Sequence, residues 1–347
     1  MSEPLGTLEE LPNDYRDAMD RASVAPLWPN LRNLLPEGAP EPTTRSHLWA
    51  YRDVRPLLLR AGELTPVEKA ERRVLVLSDP GRGGGAMQAT ATIYAGLQLL
   101  LPGEIAPNHR HTASAARIMV EGEGAYTVVR GEKLAMQSGD IVLTPNGEWH
   151  DHGHEGSGPV VWLDALDLPV FVQLEGSYSQ SAEAQRPHQR PDASQLEYRS
   201  AGLVPARRGM RRLPRYPQLR FPWERTEATL REIALHAGAD EIVALDYINP
   251  ETGDDLLPTI GFTAFMVPAG RTIRPITRST SSVFHVVDGQ GRSSIDGQSF
   301  EWSDKDTFSV PVFAHIEHSA ADAPAFLIEV HDRPLQERLG YYEERAA

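Results

Sequence analysis

An internal repeat is the feature of this sequence that most constrains its fold. The segment 267–311 can be laid on the segment 101–145, with VDGQG matching VEGEG and Pro311 matching Pro145. A self-similar stretch of about a hundred residues indicates two copies of one structural unit. Each copy contains short apolar runs separated by Gly, Pro, Asp and Asn at about ten-residue spacing, which is typical of an antiparallel β-sandwich or barrel. The sequence therefore predicts two copies of one β-barrel.

The rest of the chain differs in composition from the two copies. Apolar residues recur at helical spacing from Leu8 to Met19, and 52–64 is a second short helix candidate. The segment from 176 is polar and low in apolar residues, which favours a linker or long surface loop. Four segments are expected: a helical N-terminal region (1–84), a first β-unit (85–175), a linker or arm (176–224), and a second β-unit with a C-terminal tail (225–347).

Charge and cysteine content exclude several classes of function. The 347 residues carry a net charge of -14, so nucleic acid and anionic membranes are not expected as partners. No apolar run approaches the roughly 20 residues of a membrane span, and the acidic N-terminus lacks the apolar core of a secretory signal. A cytoplasmic location is expected. The absence of cysteine excludes disulfides, a thiolate nucleophile and cysteine-based metal sites.

Arginines are concentrated between 207 and 220. They are Arg207, Arg208, Arg211, Arg212, Arg215 and Arg220. We interpret this segment as a solvated arm or a subunit contact that pairs with the acidic surface, with a polyanion site as the minor alternative.

Histidines in the first copy form a candidate metal site. His109 and His111 lie two residues apart, so on a strand they share one face. The positions Gly103, His109, His111, Ala115 and Gly122 follow the spacing of the first cupin motif. The positions Gly139, Pro145, Gly147 and His150 follow the spacing of the second. This stretch therefore resembles the cupin family of small β-barrels, and the resemblance implies that His109, His111 and His150 bind a metal ion.

Departures from the cupin pattern narrow the expectation. Many cupins have a metal-binding glutamate where this chain has Ala115, so the site is expected to consist of three neutral histidines without a carboxylate. Imidazole suits Fe, Zn, Cu and Ni, so the ligand type alone does not choose the metal. In the second copy His109 and His111 align with Ile276 and Arg278, and His315 falls near His150. The second barrel is expected to hold no metal and to have a structural role.

The resemblance extends beyond the barrels to gentisate 1,2-dioxygenase and its relatives. Stretches such as SVAPLWPNL, YAGLQLLLPGEIAPNHRH, WLDALDLP and YINPETGDDLLPT are similar to that family over most of the chain. The family implies a mainly β bicupin fold, in which two double-stranded β-helix (jelly-roll) barrels follow a helical N-terminal region. It also implies Fe(II), dioxygen, ring opening of gentisate to maleylpyruvate in aromatic catabolism, and a homotetramer or another homo-oligomer.

Substrate-binding residues are expected around the metal. Arg117 lies an even number of residues after His111, so on a regular strand it faces inward and binds the anionic substrate, unless a structural carboxylate pairs with it. The resemblance implies that Gln98 donates to a substrate oxygen, with a core-edge amide as the alternative. It also implies that Arg73 binds the anion, with Arg72 as a nearly equal choice, and that Tyr94 lines the pocket and affects substrate range.

Two further residues are expected to take part in catalysis. His152 follows His150 at strand spacing and by resemblance contacts the substrate, where it is suited to accept a hydroxyl proton. Asp164 is expected to orient one of the imidazoles, as carboxylates commonly do near metal-binding histidines, or alternatively to cap a strand end. His154 is assigned no more than a supporting position behind the ligands.

Four functions remain open from the sequence. The leading hypothesis is Fe(II)-dependent cleavage of gentisate. The second is a related dioxygenase acting on salicylate or 1-hydroxy-2-naphthoate. A non-catalytic bicupin that binds a small carboxylic acid is the third, and oxygen uptake separates it from the first two. A Zn or Mn isomerase of the cupin type is the fourth, and the missing carboxylate ligand disfavours it.

Overall fold

The computed structural model describes residues 5–182, 190–206, 215–238 and 241–345. The chain forms two compact units, 1–43 and 44–347. The first unit contains helix α1 (Asn13–Ala22), a 3-10 turn (Trp28–Asn30) and the short helix α2 (Leu31–Leu34). Helix α1 begins later than the apolar spacing predicts because Pro12 occupies its N-cap position, and a proline disfavours helical geometry in the residue before it.

The second unit contains the remaining helices and all of the strands of the described residues. The helices are α3 (Tyr51–Leu64), α4 (Val67–Ala70), α5 (Leu168–Gln173), α6 (Ala193–Glu197), α7 (Trp223–Ala234) and α8 (Arg333–Leu339), with a 3-10 turn at Pro80–Arg82. The strands are β1 (His47–Trp49), β2 (Arg73–Val76), β3 (Tyr94–Leu100), β4 (Ile105–His111), β5 (Ala115–Glu121), β6 (Ala125–Val129), β7 (Glu132–Ala135), β8 (Ile141–Thr144), β9 (His150–His154), β10 (Val160–Leu166), β11 (Ser179–Ser181), β12 (Arg190–Pro191), β13 (Arg220–Phe221), β14 (Val243–Asp246), β15 (Gly261–Val267), β16 (Thr272–Ile273), β17 (Thr277–Arg278), β18 (Ser282–Asp288), β19 (Gly291–Ile295), β20 (Gln298–Trp302), β21 (Thr307–Val310), β22 (Ile316–Ala320), β23 (Ala325–His331) and β24 (Glu344–Arg345).

Two jelly-roll barrels are built from these strands, which confirms the bicupin fold. Barrel 1 pairs the sheet β13-β8-β5-β10-β3-β2 with the sheet β11-β4-β9-β6-β7-β12. Barrel 2 pairs the sheet β1-β21-β18-β23-β15-β14 with the sheet β16-β22-β19-β20. The central order β8-β5-β10-β3 recurs as β21-β18-β23-β15, and β4-β9-β6-β7 recurs as β16-β22-β19-β20. Each of these eight central strands of barrel 1 therefore has an equivalent in barrel 2, as the sequence repeat predicts.

Glycine in the repeated VEGEG and VDGQG segments is required by the backbone. Gly122 has φ +93 and Gly289 has φ +100, which is the left-handed region that side chains disfavour. A Cβ atom on Gly122 would also lie 2.4 Å from the main-chain oxygen of Pro159. The same tight turn therefore follows the central strand of each barrel.

Segments predicted to lie outside the barrels contribute strands to them. β1 pairs with β21 of barrel 2, and β2 pairs with β3 of barrel 1, although both fall in the predicted N-terminal helical region. The predicted linker supplies β11, β12 and β13 to the sheets of barrel 1. These additions cover sheet edges, whose unpaired backbone groups otherwise remain open to other chains.

The predicted arginine-rich arm is partly buried. Arg207, Arg208, Arg211 and Arg212 lie outside the described residues. Arg220, on β13, is buried and its Nε lies 2.7 Å from Oδ2 of Asp140. The interpretation of Arg220 as a solvated residue is therefore wrong, since this arginine fixes β13 to barrel 1. The guanidinium of Arg215 lies 5.3 Å from the ring centroid of Tyr216.

One apolar core continues from barrel 1 into barrel 2. Ile118 and Leu163 of barrel 1 belong to the same buried cluster as Phe262 and Ile328 of barrel 2. Every residue of β5 except Glu121 is buried, because one face of that strand packs inside its barrel and the other packs against neighbouring elements. None of the described helices is long and apolar enough to cross a membrane.

Candidate metal centre and substrate cavity

Adjacent strands of barrel 1 bring the predicted histidines together. β4 and β9 are antiparallel, and His109 pairs directly with His150, with ring centroids 4.1 Å apart. The ring of His111 lies 4.8 Å from that of His150 and 5.6 Å from that of His109. One ligand nitrogen from each of His109, His150 and His152 lies within 4.8 Å of the others. Four histidines therefore lie close together at the site, whereas the cupin pattern predicts three of them as metal ligands.

Main-chain carbonyls fix the tautomer of three of these histidines. The Nδ1 atoms of His109, His111 and His150 lie 2.8, 2.7 and 2.9 Å from the carbonyl oxygens of Pro107, Ala113 and Glu148. A carbonyl oxygen only accepts hydrogen bonds, so each Nδ1 carries the proton and each Nε2 keeps its lone pair. Nε2 of His150 is buried and without a hydrogen-bond partner. Three lone pairs oriented in this way suit a metal ion.

Burial keeps these imidazoles neutral. It lowers the pKa of His109 to about 3, an effect that the nearby Arg72 charge reinforces. It also lowers the pKa of His111 to about 4, against the hydrogen bond to Ala113. The pKa of His150 lies well below its ordinary value for the same reason. The neutral form is the one that binds metal, so the donor set fits a transition-metal ion.

His152 has different surroundings from the other three histidines. It is fully buried, its ring lies 5.6 Å from that of Trp162, and its Nδ1 lies 2.9 Å from Oγ1 of Thr127. Its Nε2 has no hydrogen-bond partner. The sequence predicts His152 against the substrate, whereas the structure buries it behind His109 and His150, outside the residues that line the cavity.

A cavity of about 340 Å³ opens beside His109 and His111. Its polar lining includes the predicted residues Gln98, Arg117 and Asp164, and also Arg72. Its remaining walls come from Val74, Tyr94, Thr112, Ala113, Leu166, Leu168 and the segment 177–179. Nε2 of Gln98 is buried without a hydrogen-bond partner, so it is a free donor at this site. Burial raises the pKa of Tyr94, so its phenol stays neutral.

Arg117 and Asp164 form a buried ion pair in the cavity wall. The two residues are directly opposite on β5 and β10, and Nε of Arg117 lies 3.1 Å from Oδ1 of Asp164. Arg117 Nη1 also donates to Oγ1 of Thr144 at 2.8 Å. Asp164 does not contact an imidazole as expected, because its Oδ1 contacts Arg117 and accepts from the indole nitrogen of Trp162. The alternative expected for Arg117, pairing with a carboxylate, is what the structure has.

Arg73 is predicted to bind the substrate anion, but its neighbour Arg72 is the arginine that lies at the cavity. Arg73 is directed away from the cavity, where it donates to the carbonyl oxygen of Gly62 at 3.1 Å and forms an ion pair with Glu104. Arg72 lines the cavity instead. Successive side chains of a strand point to opposite faces, and Val74, two residues after Arg72, also faces the cavity. Arg72 therefore replaces Arg73 as the candidate.

His154, the last residue of β9, is used in the turn that follows. Its Nε2 contacts the carbonyl oxygen of Gly158, and its Nδ1 accepts from the amide of Gly156 at 3.1 Å. The ring therefore fixes the β9–β10 turn rather than supporting a metal ligand.

Barrel 2 carries different residues at the equivalent positions. Ile276 and Arg278 align with His109 and His111. The alignment of β22 with β9 makes Ile316, rather than His315, the residue equivalent to His150. His318 corresponds to His152, since Ile273 pairs with His318 as Ala106 pairs with His152. Nδ1 of His318 lies 2.8 Å from Oγ of Ser293, which corresponds to Thr127. The histidine–hydroxyl pair therefore recurs in a barrel without the three carbonyl-oriented histidines.

Comparisons with known proteins agree with this fold and site. A cupin domain model matches residues 96–166. The gentisate 1,2-dioxygenase of Ralstonia sp. is 47% identical over 99% of this chain and 97% of its own length. The 5-aminosalicylate 1,2-dioxygenase of Comamonas sp. is 34% identical over 94% of this chain and 88% of its own. The crystal structure of salicylate 1,2-dioxygenase from Pseudoaminobacter salicylatoxidans with gentisate superposes with a TM-score of 0.89, at 30% identity over 99% of this chain and 95% of that one.

Two cupin barrels, with a buried histidine cluster beside an arginine-containing cavity in the first, define the class of cupin dioxygenases. Within that class, the chain belongs to the gentisate 1,2-dioxygenase family of ring-cleaving oxidoreductases. Its members are enzymes, and the histidine cluster of this chain can hold the metal ion that such an enzyme requires.

Proposed function

We propose that this enzyme is an Fe(II)-dependent dioxygenase that converts gentisate to maleylpyruvate. The bond between the carboxylate-bearing carbon and the adjacent hydroxyl-bearing carbon breaks, and both atoms of dioxygen enter the product, so no external reductant is needed. One observation supports this most directly: the cavity joins histidines with oriented lone pairs to the guanidinium of Arg72. That guanidinium has no ion-pair partner among the described residues.

We assign the metal to His109, His111 and His150, although the ligand nitrogens that lie within 4.8 Å of one another are those of His109, His150 and His152. The three assigned residues share the Nδ1-to-carbonyl hydrogen bond that directs Nε2 to a metal. Nδ1 of His152 is instead hydrogen-bonded to the hydroxyl of Thr127. The equivalent pair, His318 with Ser293, occurs in barrel 2, where Ile276 and Ile316 occupy the positions of His109 and His150. Because the His152 arrangement recurs without those ligands, we attribute it to the fold.

Fe(II) at this site would supply the redox chemistry with dioxygen that side chains lack. The neighbouring residues would bind and orient the substrate. Asp164 neutralises Arg117, so Arg72 supplies the net positive charge for a carboxylate. Charge-assisted hydrogen bonds from both guanidinium groups would hold the carboxylate, and Gln98 Nε2 is free to donate to a substrate oxygen.

The proton of the substrate hydroxyl needs an acceptor. His152 stays the acceptor that the family resemblance implies: its Nε2 is buried without a hydrogen-bond partner, and its ring lies 6.1 Å from that of His109, which lines the cavity as His152 itself does not. Asp164 is not proposed for this step, because both of its recorded contacts are with positively charged or hydrogen-bond donating groups, Arg117 and Trp162. Its proposed contribution is to hold Arg117 at the cavity wall.

Tyr94 provides a basis for substrate preference. It lines the cavity beside Val74, and its hydroxyl remains a neutral donor because burial raises its pKa. A phenol at this position suits a substrate with an additional polar substituent on the ring, which gentisate has and salicylate lacks. The homotetramer that the family resemblance implies stays a prediction.

The experiment that tests the proposed function is anaerobic reconstitution with Fe(II), followed by parallel oxygen-uptake measurements with gentisate, salicylate and 1-hydroxy-2-naphthoate. We expect a new near-ultraviolet absorbance with gentisate and about one dioxygen consumed per molecule, as a reaction that incorporates both oxygen atoms requires. Faster uptake with either other acid would reassign the substrate. Iron binding without uptake from any of them would indicate a binding protein.

A further inference from the structure

A pair of hydrogen-bonded aspartates connects the two barrels. Asp167, which follows β10 of barrel 1, accepts from the hydroxyl of Thr259, which precedes β15 of barrel 2. Asp332, which follows β23 of barrel 2, accepts from the hydroxyl of Thr92 of barrel 1, at 2.7 Å. Both aspartates are buried. Each barrel therefore presents one aspartate to a threonine of the other.

The two connections share their central hydrogen bonds, and Asp332 also accepts from the hydroxyl of Ser281 at 3.2 Å and from Nε2 of Gln336 at 3.1 Å. Oδ1 of Asp167 accepts from the amide of Ser114 at 2.7 Å, and Oδ1 of Asp332 accepts from the amide of Ser281 at 3.0 Å. The amides of Asp167 and Asp332 in turn donate to the carbonyl oxygens of those same serines, each at 3.4 Å. We call the set Thr259–Asp167–Ser114 clasp 1, and the set Thr92–Asp332–Ser281 clasp 2.

Only clasp 1 reaches the metal site. Ser114 directly follows Ala113, whose carbonyl oxygen lies 2.7 Å from Nδ1 of His111. Asp167 thus holds the amide of one residue while the carbonyl of the preceding residue orients the imidazole. In clasp 2 the corresponding position to His111 is Arg278, which lies 3.7 Å from Glu329 and is not a metal ligand.

We propose that Asp167 and Thr259 are positioning residues for the metal centre, through which barrel 2 holds the His111 loop in place. This inference rests on the proposed ligand set, because it acts through His111. Clasp 1 fixes the amide of Ser114. The carbonyl of Ala113 belongs to the same planar peptide unit, so it is fixed as well. That carbonyl determines the direction of the His111 Nε2 lone pair. Barrel 2 thereby contributes to metal binding without a ligand of its own.

Few side-chain contacts restrain the loop that carries His111. His111 is the last residue of β4 and is only partly buried, unlike His109 and His150, which are buried and pair with each other across β4 and β9. Its imidazole has one recorded hydrogen bond, to Ala113. The Ser114 hydroxyl has no hydrogen-bond partner, so Asp167 is the side chain that holds the Ser114 end of this turn, whereas the Thr112 hydroxyl holds the other end against the amide of Tyr178. Loss of such an outer contact costs metal sites about 10- to 100-fold in affinity.

Clasp 2 provides the matched control for the experiment. Asp167→Ala and Asp332→Ala each remove the aspartate of one inter-barrel connection, and both variants should lose thermal stability as metal-free proteins, Asp332→Ala the more because Asp332 also accepts from the Ser281 hydroxyl and from Gln336. Metal affinity is measured for the full chain by chelator competition with Fe(II) and with Co(II), whose visible spectrum also reports the coordination of the ion. We expect Asp167→Ala to weaken binding about 10- to 100-fold and to alter the Co(II) spectrum.

Asp332→Ala is expected to keep metal affinity within about twofold of the wild-type value, because clasp 2 does not position a metal ligand. Asp167→Asn keeps an oxygen acceptor for the Ser114 amide and is expected to restore most of the affinity. Equal loss in the two alanine variants, or no loss in Asp167→Ala, would overturn the proposal.

Threonine variants keep the test decisive if an alanine variant fails to fold. Thr259→Val and Thr92→Val preserve side-chain shape and remove one hydroxyl each, and a loss of affinity is expected only for Thr259→Val. Equal affinities in these two variants would refute the proposal. His111→Ala is included in the same titration: if it binds metal as the wild type does, the proposed ligand set is wrong, which is distinguishable from failure of the clasp.

Discussion

At the scale of single residues, one hydrogen bond per histidine determines which nitrogen is available to a metal. His109, His111 and His150 each donate from Nδ1 to a main-chain carbonyl two residues away along the chain. A local contact of this kind orients the ring before a metal binds, which lowers the cost of assembling the site. His152 has a hydroxyl partner instead. The proximity of ligand nitrogens therefore favours His109, His150 and His152 as ligands, whereas ring orientation favours His109, His111 and His150.

The first prediction separates these sets. His111→Ala should lower metal affinity at least about 100-fold, because it removes a ligand, whereas the effect of an outer residue is about 10- to 100-fold at most. His152→Ala should retain bound metal while lowering turnover. The measurement is metal content after dialysis, with chelator competition for variants that retain it. Retention in His111→Ala together with loss in His152→Ala would establish His109, His150 and His152 as the ligands.

The second prediction concerns Arg72 and Arg73, which lie just before β2 and at its start. Arg72→Met should raise KM for gentisate about 10- to 100-fold with little loss of bound iron, because it removes a charge-assisted hydrogen bond of about 1.5–3 kcal/mol. Arg73→Met is the matched control, since Arg73 pairs with Glu104 outside the cavity and should leave KM unchanged. Steady-state oxygen uptake measures both. An increase in KM for Arg73→Met alone would return the anion site to Arg73.

Residue roles were predictable where a motif or strand spacing carried them, and unpredictable where they depended on pairing. The spacing of His109, His111 and His150 places them together, as the structure does. The choice between Arg72 and Arg73 depends on which face of a short strand turns inward, and ERRVLVL has no alternation that settles this. The partner of Asp164 depends on the register of β10 against β5, which no local pattern encodes.

At the scale of elements, the segment after β10 belongs to barrel 1 rather than connecting two independent domains. β11 extends one sheet beside β4, and β13 extends the other beside β8. Arg220 of β13 forms buried ion pairs with Asp140 and Asp192, and Asp140 also accepts from the amide of Trp223 at 2.9 Å. The polar composition therefore predicts that the segment is irregular. It does not predict that the segment docks on barrel 1, because that docking depends on charged residues that are far apart in sequence.

The third prediction tests that docking. Arg220→Met should lower the free energy of unfolding by about 3 kcal/mol or more, because it leaves the buried carboxylate of Asp140 without its cation. Arg60→Met is the control, since Arg60 forms an exposed ion pair with Glu63 on α3 and such pairs contribute about 0–1 kcal/mol. Urea denaturation of the metal-free proteins gives both values. Equal effects would show that β13 is not held by the buried pair.

At the scale of the whole molecule, the two barrels retain a common frame while their sites have diverged. The repeat was visible in sequence through its turns, because Gly122 and Gly289 adopt backbone angles that side chains disfavour. The clasps between barrels were not visible, since Thr92, Asp167, Thr259 and Asp332 are ordinary polar residues until the barrels pack. Duplication thus explains why each connection has a counterpart, and divergence explains why only one lies behind a metal site.

The last prediction uses the pH dependence of the clasp that lies away from the metal. Burial raises the pKa of Asp332 to about 6, against the hydrogen bonds from Thr92 and Ser281, whereas the pKa of an aspartate in the unfolded chain is close to its ordinary value of 3.8. Between these values the folded protein binds more protons than the unfolded chain, so Asp332 makes the fold more stable as pH falls through about 6. The contribution is complete below the unfolded pKa and is lost as pH rises.

Asp332→Asn removes this titration while keeping the shape of the side chain. The free energy of unfolding of the wild type minus that of the variant should therefore increase as the pH is lowered from about 7.5 to about 5, and comparison of the two proteins cancels the titration of all shared groups. Urea denaturation of both metal-free proteins at several pH values measures it. A difference that stays constant, or that decreases on acidification, would mean that Asp332 is ionised throughout and that clasp 2 holds the barrels together as a charged hydrogen-bond acceptor.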